Sequence, residues 1–185
     1  MFYKTERLAL FIDGPNLHAA AKALGFDIDY RVLRTEFMRR GKLLRAYYYT
    51  TVLEDNEHCV VRPLVDWLQY NGFTVVAKQA KGFTDDLDGR KLKGSTEVEL
   101  AVDAIEVSAH VDHVVVFSGN GNLRAMVEYL QRNRVRVSVV STIQSQPPMI
   151  SDELRRQADN FIELNNLQEV IGRPSRSSMN SRKSA

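Results

Sequence analysis

The stretch Leu8–Ile12 (LALFI), followed at once by Asp13-Gly14-Pro15-Asn16, decides how the rest of the chain is read. Five consecutive apolar residues that stop at a turn signal read as a strand buried on both faces, as in a parallel sheet. Proline suits the first turn of a helix, because its missing N–H falls where no intrahelical acceptor exists. The spacing of Leu17, Ala20, Ala21 and Leu24 then predicts a helix that Gly25 closes. A strand that ends on aspartate and passes straight into a helix is the opening of a strand–helix–strand unit.

Working outward, the same alternation repeats. Helical patterns are expected at 31–40, 61–70 and 97–109, and strands at 44–50, 73–78, 114–117 and 135–140. A polar loop is expected from the end of the 73–78 strand through Gly94. On the 97–109 helix, Val98, Ala101, Val102, Ile105 and Ala109 form the predicted core stripe. Thr96 with Glu99 matches a capping box at its start. A helix is predicted from Leu123, another from Ser151, and 161–164 reads as a short edge strand. Roughly five alternations predict an α/β fold, a three-layer sandwich around a mainly parallel sheet with right-handed crossovers.

Ligands of open parallel sheets bind at the carboxyl ends of the strands. Three polar segments fall there: Asp13-Gly14-Pro15-Asn16, Ser95-Thr96-Glu97, and Ser118-Gly119-Asn120-Gly121-Asn122. Each has a structural reading beside the functional one. Asp13 is a natural N-cap for the helix after it, and Asn122 for the helix beginning at Leu123. Glu97 suits the first turn of its helix because it faces the positive end of the macrodipole. His110 to His113 (HVDH) lacks a complete metal-ligand set, and Cys59 beside His58 lacks a third partner. Neither GxGxxG after the first strand nor GxxxxGK[ST] is present, which disfavours a nucleotide-utilising enzyme.

Composition bounds the remaining classes. The 185 residues are 44% hydrophobic and 26% charged, enough for one packed core and against wholesale disorder. No apolar run approaches the roughly 20 residues of a membrane span, and the N-terminus does not read as a signal peptide. The single cysteine cannot form an internal disulfide, so a reducing cytoplasmic setting is expected. The formal charge of +2 is unevenly placed. Residues 172–185 carry four basic and no acidic residues and read as a disordered basic tail, leaving a domain of residues 1–171. That body holds 21 basic against 23 acidic residues, yet six basic residues and one acid gather at 31–45, and five against three aspartates at 78–93.

FIDGPN (11–16), KGSTEVELAVDAIE (93–106), VVVFSGNGNL (114–123) and SDELRRQADNFIEL (151–164) occur in that order. Together they resemble the LabA-like NYN domains, a branch of the PIN-like nuclease superfamily. The resemblance implies a Rossmann-like fold and RNA cleavage dependent on Mg²⁺ or Mn²⁺ held by clustered carboxylates. By position, Asp13 matches the acid ending the first strand, and Asn16 its polar companion. Glu97 stands where the family has aspartate, and Asn120 and Asn122 stand in SGNGN where the family pattern is SGDGD. Asp103 and Asp159 match further family acids.

On this resemblance Asp13, Glu97, Asn120 and Asn122 are the catalytic and metal-binding candidates, with Asn16, Ser118 and Lys93 expected to contact RNA. The departure has physical weight: hard cations want charged oxygen ligands, and asparagine cannot act as a general base. Two readings follow. One is a metal-dependent ribonuclease weakened at two positions, with the basic stretches holding the RNA backbone. The other is a lapsed nuclease that binds RNA or a protein partner in a regulatory role. A homodimer is compatible with both. Tyr47, Tyr48 and Tyr49 could offer stacking surfaces, although strand alternation sends at least one of them into the core.

Overall fold

Every residue from Leu8 to Ile12 is fully buried. In the computed structural model β1 (Arg7–Asp13) therefore occupies the middle of the sheet. Residues 2–53, 61–85, 89–93 and 95–174 are described. The other strands of the main sheet are β3 (Lys42–Leu53), β4 (Thr74–Asp85), β5 (Gly89–Lys93), β6 (His113–Phe117), β7 (Arg136–Ser141) and β8 (Asn160–Glu163). A separate pair joins β2 (Phe26–Ile28) to β9 (Gly172–Pro174). The main sheet runs β5-β4-β3-β1-β6-β7-β8, with six parallel strands and β5 antiparallel at one edge. Chain order reverses direction between β1 and β6, which makes the crevice beyond their carboxyl ends the switch point.

Two cores sandwich this sheet. On one face α1 (Gly14–Ala23), α2 (Tyr30–Arg40), α3 (Arg62–Tyr70) and α7 (Gln168–Ile171) bury Leu17, Leu33, Phe37, Leu68 and Ile171. On the other, α4 (Glu97–Val107), α5 (Arg124–Arg132) and α6 (Asp152–Gln157) bury Leu100, Ala104, Val127, Leu130 and Leu154. Alternation along β3 sends Tyr48 into the first core and Tyr47 and Tyr49 toward the second. All three tyrosines are thus packing residues. The expected α/β sandwich is the fold observed.

Several local expectations are corrected. The segment expected to be a polar loop before Gly94 forms the β4–β5 hairpin instead, with Lys81 opposite Lys93. On α4 the predicted core stripe faces outward: Val98 is 70% and Val102 57% exposed, while Leu100 and Ala104 are buried. That helix carries two apolar faces, and the one inward also lets Asp103 accept a 2.8 Å hydrogen bond from the Tyr49 hydroxyl. The capping box does not form. Ser95 Oγ accepts from the Glu97 N–H instead, and Glu99 pairs with Lys78 at 2.6 Å.

Residues 172–174, expected in the tail, form β9, while 175–185 lie outside the described residues. His58 and Cys59 also lie outside them. His113 is a buried core residue, with Nε2 2.8 Å from Ser138 Oγ and Nδ1 3.3 Å from Glu6. The HVDH segment is accordingly structural: Asp112 binds the Arg7 guanidinium at 2.7 Å near the opposite end of the sheet from Asp13.

Candidate functional site

The register of β1 with β6 pairs Ile12 with Phe117, so the next residues, Asp13 and Ser118, emerge side by side. Asp13 uses both oxygens. Oδ1 accepts from the Asn16 N–H at 3.3 Å and caps α1, and Oδ2 accepts from the Ser118 hydroxyl at 2.8 Å. One carboxylate therefore caps α1 and also ties the end of β1 to the loop after β6. Burial raises the Asp13 carboxyl above its ordinary value. The Ser118 hydroxyl and the Asn16 N–H oppose that rise, and the nearby negative charge of Glu97 adds to it.

The loop after β6 is locked from several sides. Ser118 Oγ accepts from the Asn120 N–H at 3.2 Å, and Asn16 Oδ1 accepts from the Gly119 N–H at 3.0 Å. Gly119 also meets the loop after β7: its carbonyl accepts from the Ser151 N–H at 2.9 Å. A Cβ at position 119 would lie 1.7 Å from the Met149 carbonyl oxygen, so only glycine fits this close approach. Gly14 is constrained similarly, because the ring of Tyr48 packs against its Cα.

Glu97, the first residue of α4, completes the group. Asn120 Nδ2 donates to Glu97 Oε1 in a short hydrogen bond, and Asn122 Nδ2 donates to Oε2 at 2.9 Å. Asn120 Oδ1 in turn accepts from the Asn122 N–H at 3.0 Å. Asn120 is thus the cap of the short turn Gly121–Leu123, and Asn122, expected as the cap, spends its side chain on Glu97. Sequence order gave no hint of this exchange, because it depends on where α4 lands.

Asp13, Asn16, Glu97, Ser118, Asn120 and Asn122 are brought together by these contacts. Lys93 ends β5, and its side chain is outside the described residues. Asp103 is occupied with Tyr49, and Asp159 accepts from the Val137 N–H at 2.7 Å, near the amino end of β7. Lys78 was signalled only as part of a basic stretch. Its ammonium donates to the Ser95 carbonyl at 3.1 Å, just before Glu97. Among the described residues no group of three or more His, Cys, Asp or Glu side chains is placed to hold a metal ion. The convergent set holds two carboxylates and three carboxamides, and the two carboxamide nitrogens nearest Glu97 donate to it.

The basic stretch at 31–45 is split in space. Lys42 lies opposite Arg7, the first residue of β1, about 20 Å of strand from Asp13. Arg40 pairs with Glu36 at 2.9 Å and stacks over Phe2 and Phe37. Arg31, at the start of α2, lies at the other end of that helix from Arg40, toward the carboxyl ends of the strands. Among the described residues no helix is long and apolar enough to cross a membrane.

Comparison with known proteins places this geometry. A model of the NYN domain matches residues 7–165. The low amplitude and bright protein LabA of Synechococcus elongatus is 31% identical over 95% of this chain and 93% of its own length. A crystal structure of a Vibrio parahaemolyticus protein of unknown function superposes with a TM-score of 0.69, at 25% identity, covering 89% of this chain and 96% of that one. The central β1–β6 crevice, the order of the motifs and these matches agree, and the chain belongs to the NYN domain family as a LabA-like member.

Proposed function

We propose that this chain is an RNA-binding NYN protein whose ancestral cleavage site does not cut. RNA as the partner is supported by membership of a family related to the PIN-like nucleases. The loss of cutting rests on one observation: both oxygens of Glu97 accept from the carboxamide nitrogens of Asn120 and Asn122. Those N–H groups stand where a cation would otherwise balance the carboxylate, and a carboxamide N–H₂ is not a ligand for a hard cation. Turning Asn120 to present its oxygen to a metal would take that oxygen from the Asn122 N–H. Two carboxylates also supply half the negative charge of the four-aspartate pattern that the motifs imply. The donor set does not fit a catalytic pair of Mg²⁺ or Mn²⁺ ions.

The weakened-ribonuclease reading has one observation in its favour. Glu97 lies close enough for its charge to add to the burial that raises the Asp13 carboxyl, as expected of acids that share an ion. Labelled single-stranded RNA incubated with the protein in Mn²⁺ separates the readings. The expected result is saturable binding with the RNA left intact, and cleavage appearing once Glu97→Asp, Asn120→Asp and Asn122→Asp are combined. Cleavage by the unsubstituted protein that disappears in Asp13→Asn would overturn the proposal.

A further inference from the structure

A second groove opens beside the site, between the first turns of α2 and α3 and the strand β9. It encloses about 490 Å³ and is lined by Asp29, Tyr30, Arg31, Leu64, Trp67 and Arg173, among others. Trp67 is the only tryptophan of the chain, and its indole is partly exposed. The Arg31 guanidinium lies over that ring, 5.8 Å from its centre, as a cation on an aromatic face. Arg173 donates to the Ile28 carbonyl at 3.1 Å, which fixes its guanidinium at the groove wall. The single acid, Asp29, is turned into the backbone, its Oδ1 accepting from the N–H groups of Arg31 and Val32 at 3.0 and 3.1 Å. The groove therefore combines an aromatic face with two guanidiniums that outnumber one engaged carboxylate.

Its position ties it to the Asp13 crevice. α3 follows the carboxyl end of β3, which is parallel to β1, so its first turn lies at the same end of the sheet as Asp13. Tyr30, which lines the groove, has its hydroxyl 3.5 Å from that of Tyr48, and Tyr48 packs on Gly14, the residue after Asp13. Two aromatic rings separate groove from crevice.

We infer that this groove holds one nucleotide of a single-stranded RNA lying across the Asp13 crevice, its base stacked on Trp67 and its phosphate held by Arg31 and Arg173. The inference rests on the RNA-binding reading. A base has a π-face whatever its identity, so stacking of this kind is tolerant of sequence, and guanidiniums match phosphate in a bidentate fashion. An acidic peptide would engage the arginines but draw nothing from the indole, which a base can stack on once Arg31 swings from over the ring to a phosphate.

Because Trp67 is alone, its fluorescence reports the groove directly. The full chain is titrated with a short single-stranded RNA, following anisotropy of a labelled copy and, with unlabelled RNA, Trp67 emission. The expected result is a saturable quench with the same midpoint as the anisotropy curve. The exposed pair Arg31→Gln/Arg173→Gln is expected to weaken binding roughly tenfold or more and to flatten its salt dependence. Trp67→Phe, which keeps a ring in the core, is expected to bind more weakly than the parent, with a smaller loss than that pair. RNA binding with unchanged Trp67 emission and unchanged affinity in the double variant would overturn the groove while leaving the RNA-binding reading intact. No RNA binding by anisotropy would overturn both.

Discussion

At the scale of single residues, the clearest distinction is between acids and histidines that stand at the crevice and those that hold the fold together. Asp13 does both, because one carboxylate oxygen caps α1 and the other takes the Ser118 hydroxyl. His113 belongs wholly to the fold. Burial, and then the positive charge of Arg136, push it down to about 4 from an ordinary 6.5, against the opposing pull of Glu6. Between those two values the unfolded chain binds a proton that the folded chain refuses, so stability is lost as pH falls through that window. The loss attributable to His113 is up to roughly 3 kcal/mol. Urea unfolding between pH 7 and 4 is expected to show this slope in the parent and a flatter one in His113→Gln, which keeps amide groups for Ser138 and Glu6. An equal slope in both would place the acid sensitivity elsewhere.

At the scale of elements, the loop after β6 is the part most tightly specified by its neighbours. Gly119 sits under the Met149 carbonyl with no room for a Cβ. Gly119→Ala is therefore expected to destabilise the protein by about 2–4 kcal/mol, read as a lowered urea midpoint with an unchanged slope. The alternation that leads to this loop was legible in the letters, because buried parallel strands are short apolar runs and Asp13-Gly14-Pro15 announces the turn. The α4 face was not. Periodicity finds an apolar stripe at Val98, Val102 and Ile105, but the choice between two apolar faces is made by Leu100, Ala104 and the Tyr49–Asp103 bond, which are tertiary. The convergence of Asp13, Glu97, Asn120 and Asn122 was legible from strand ends. Which atoms of the asparagines meet Glu97 was not, since that depends on where the α4 N-terminus lands against the loop. Replacing both asparagines by aspartate would set four carboxylates against one another, with Asp13 and Glu97 already sharing the crevice. Asn120→Asp/Asn122→Asp is expected to melt below the parent in chelator and to recover with Mn²⁺, while the parent is unmoved by either.

At the scale of the whole molecule, a charge of +2 conceals a division of labour. The basic residues that the sequence groups at 31–45 are divided by the fold, with Arg40 and Lys42 near the amino ends of the strands and Arg31 by the Trp67 groove. The acids at the crevice are Asp13 and Glu97, and the carboxamides of Asn120 and Asn122 lie between loop and helix, donating to Glu97. The molecule keeps the doubly wound frame and its switch-point crevice, and we propose that its remaining charge does not draw a cation pair into it. Calorimetric titration of the unsubstituted protein with Mn²⁺ tests that claim most directly. No saturable binding is expected of the parent, and saturable binding is expected of Asn120→Asp/Asn122→Asp. Saturable binding by the parent that Asp13→Asn abolishes would contradict it.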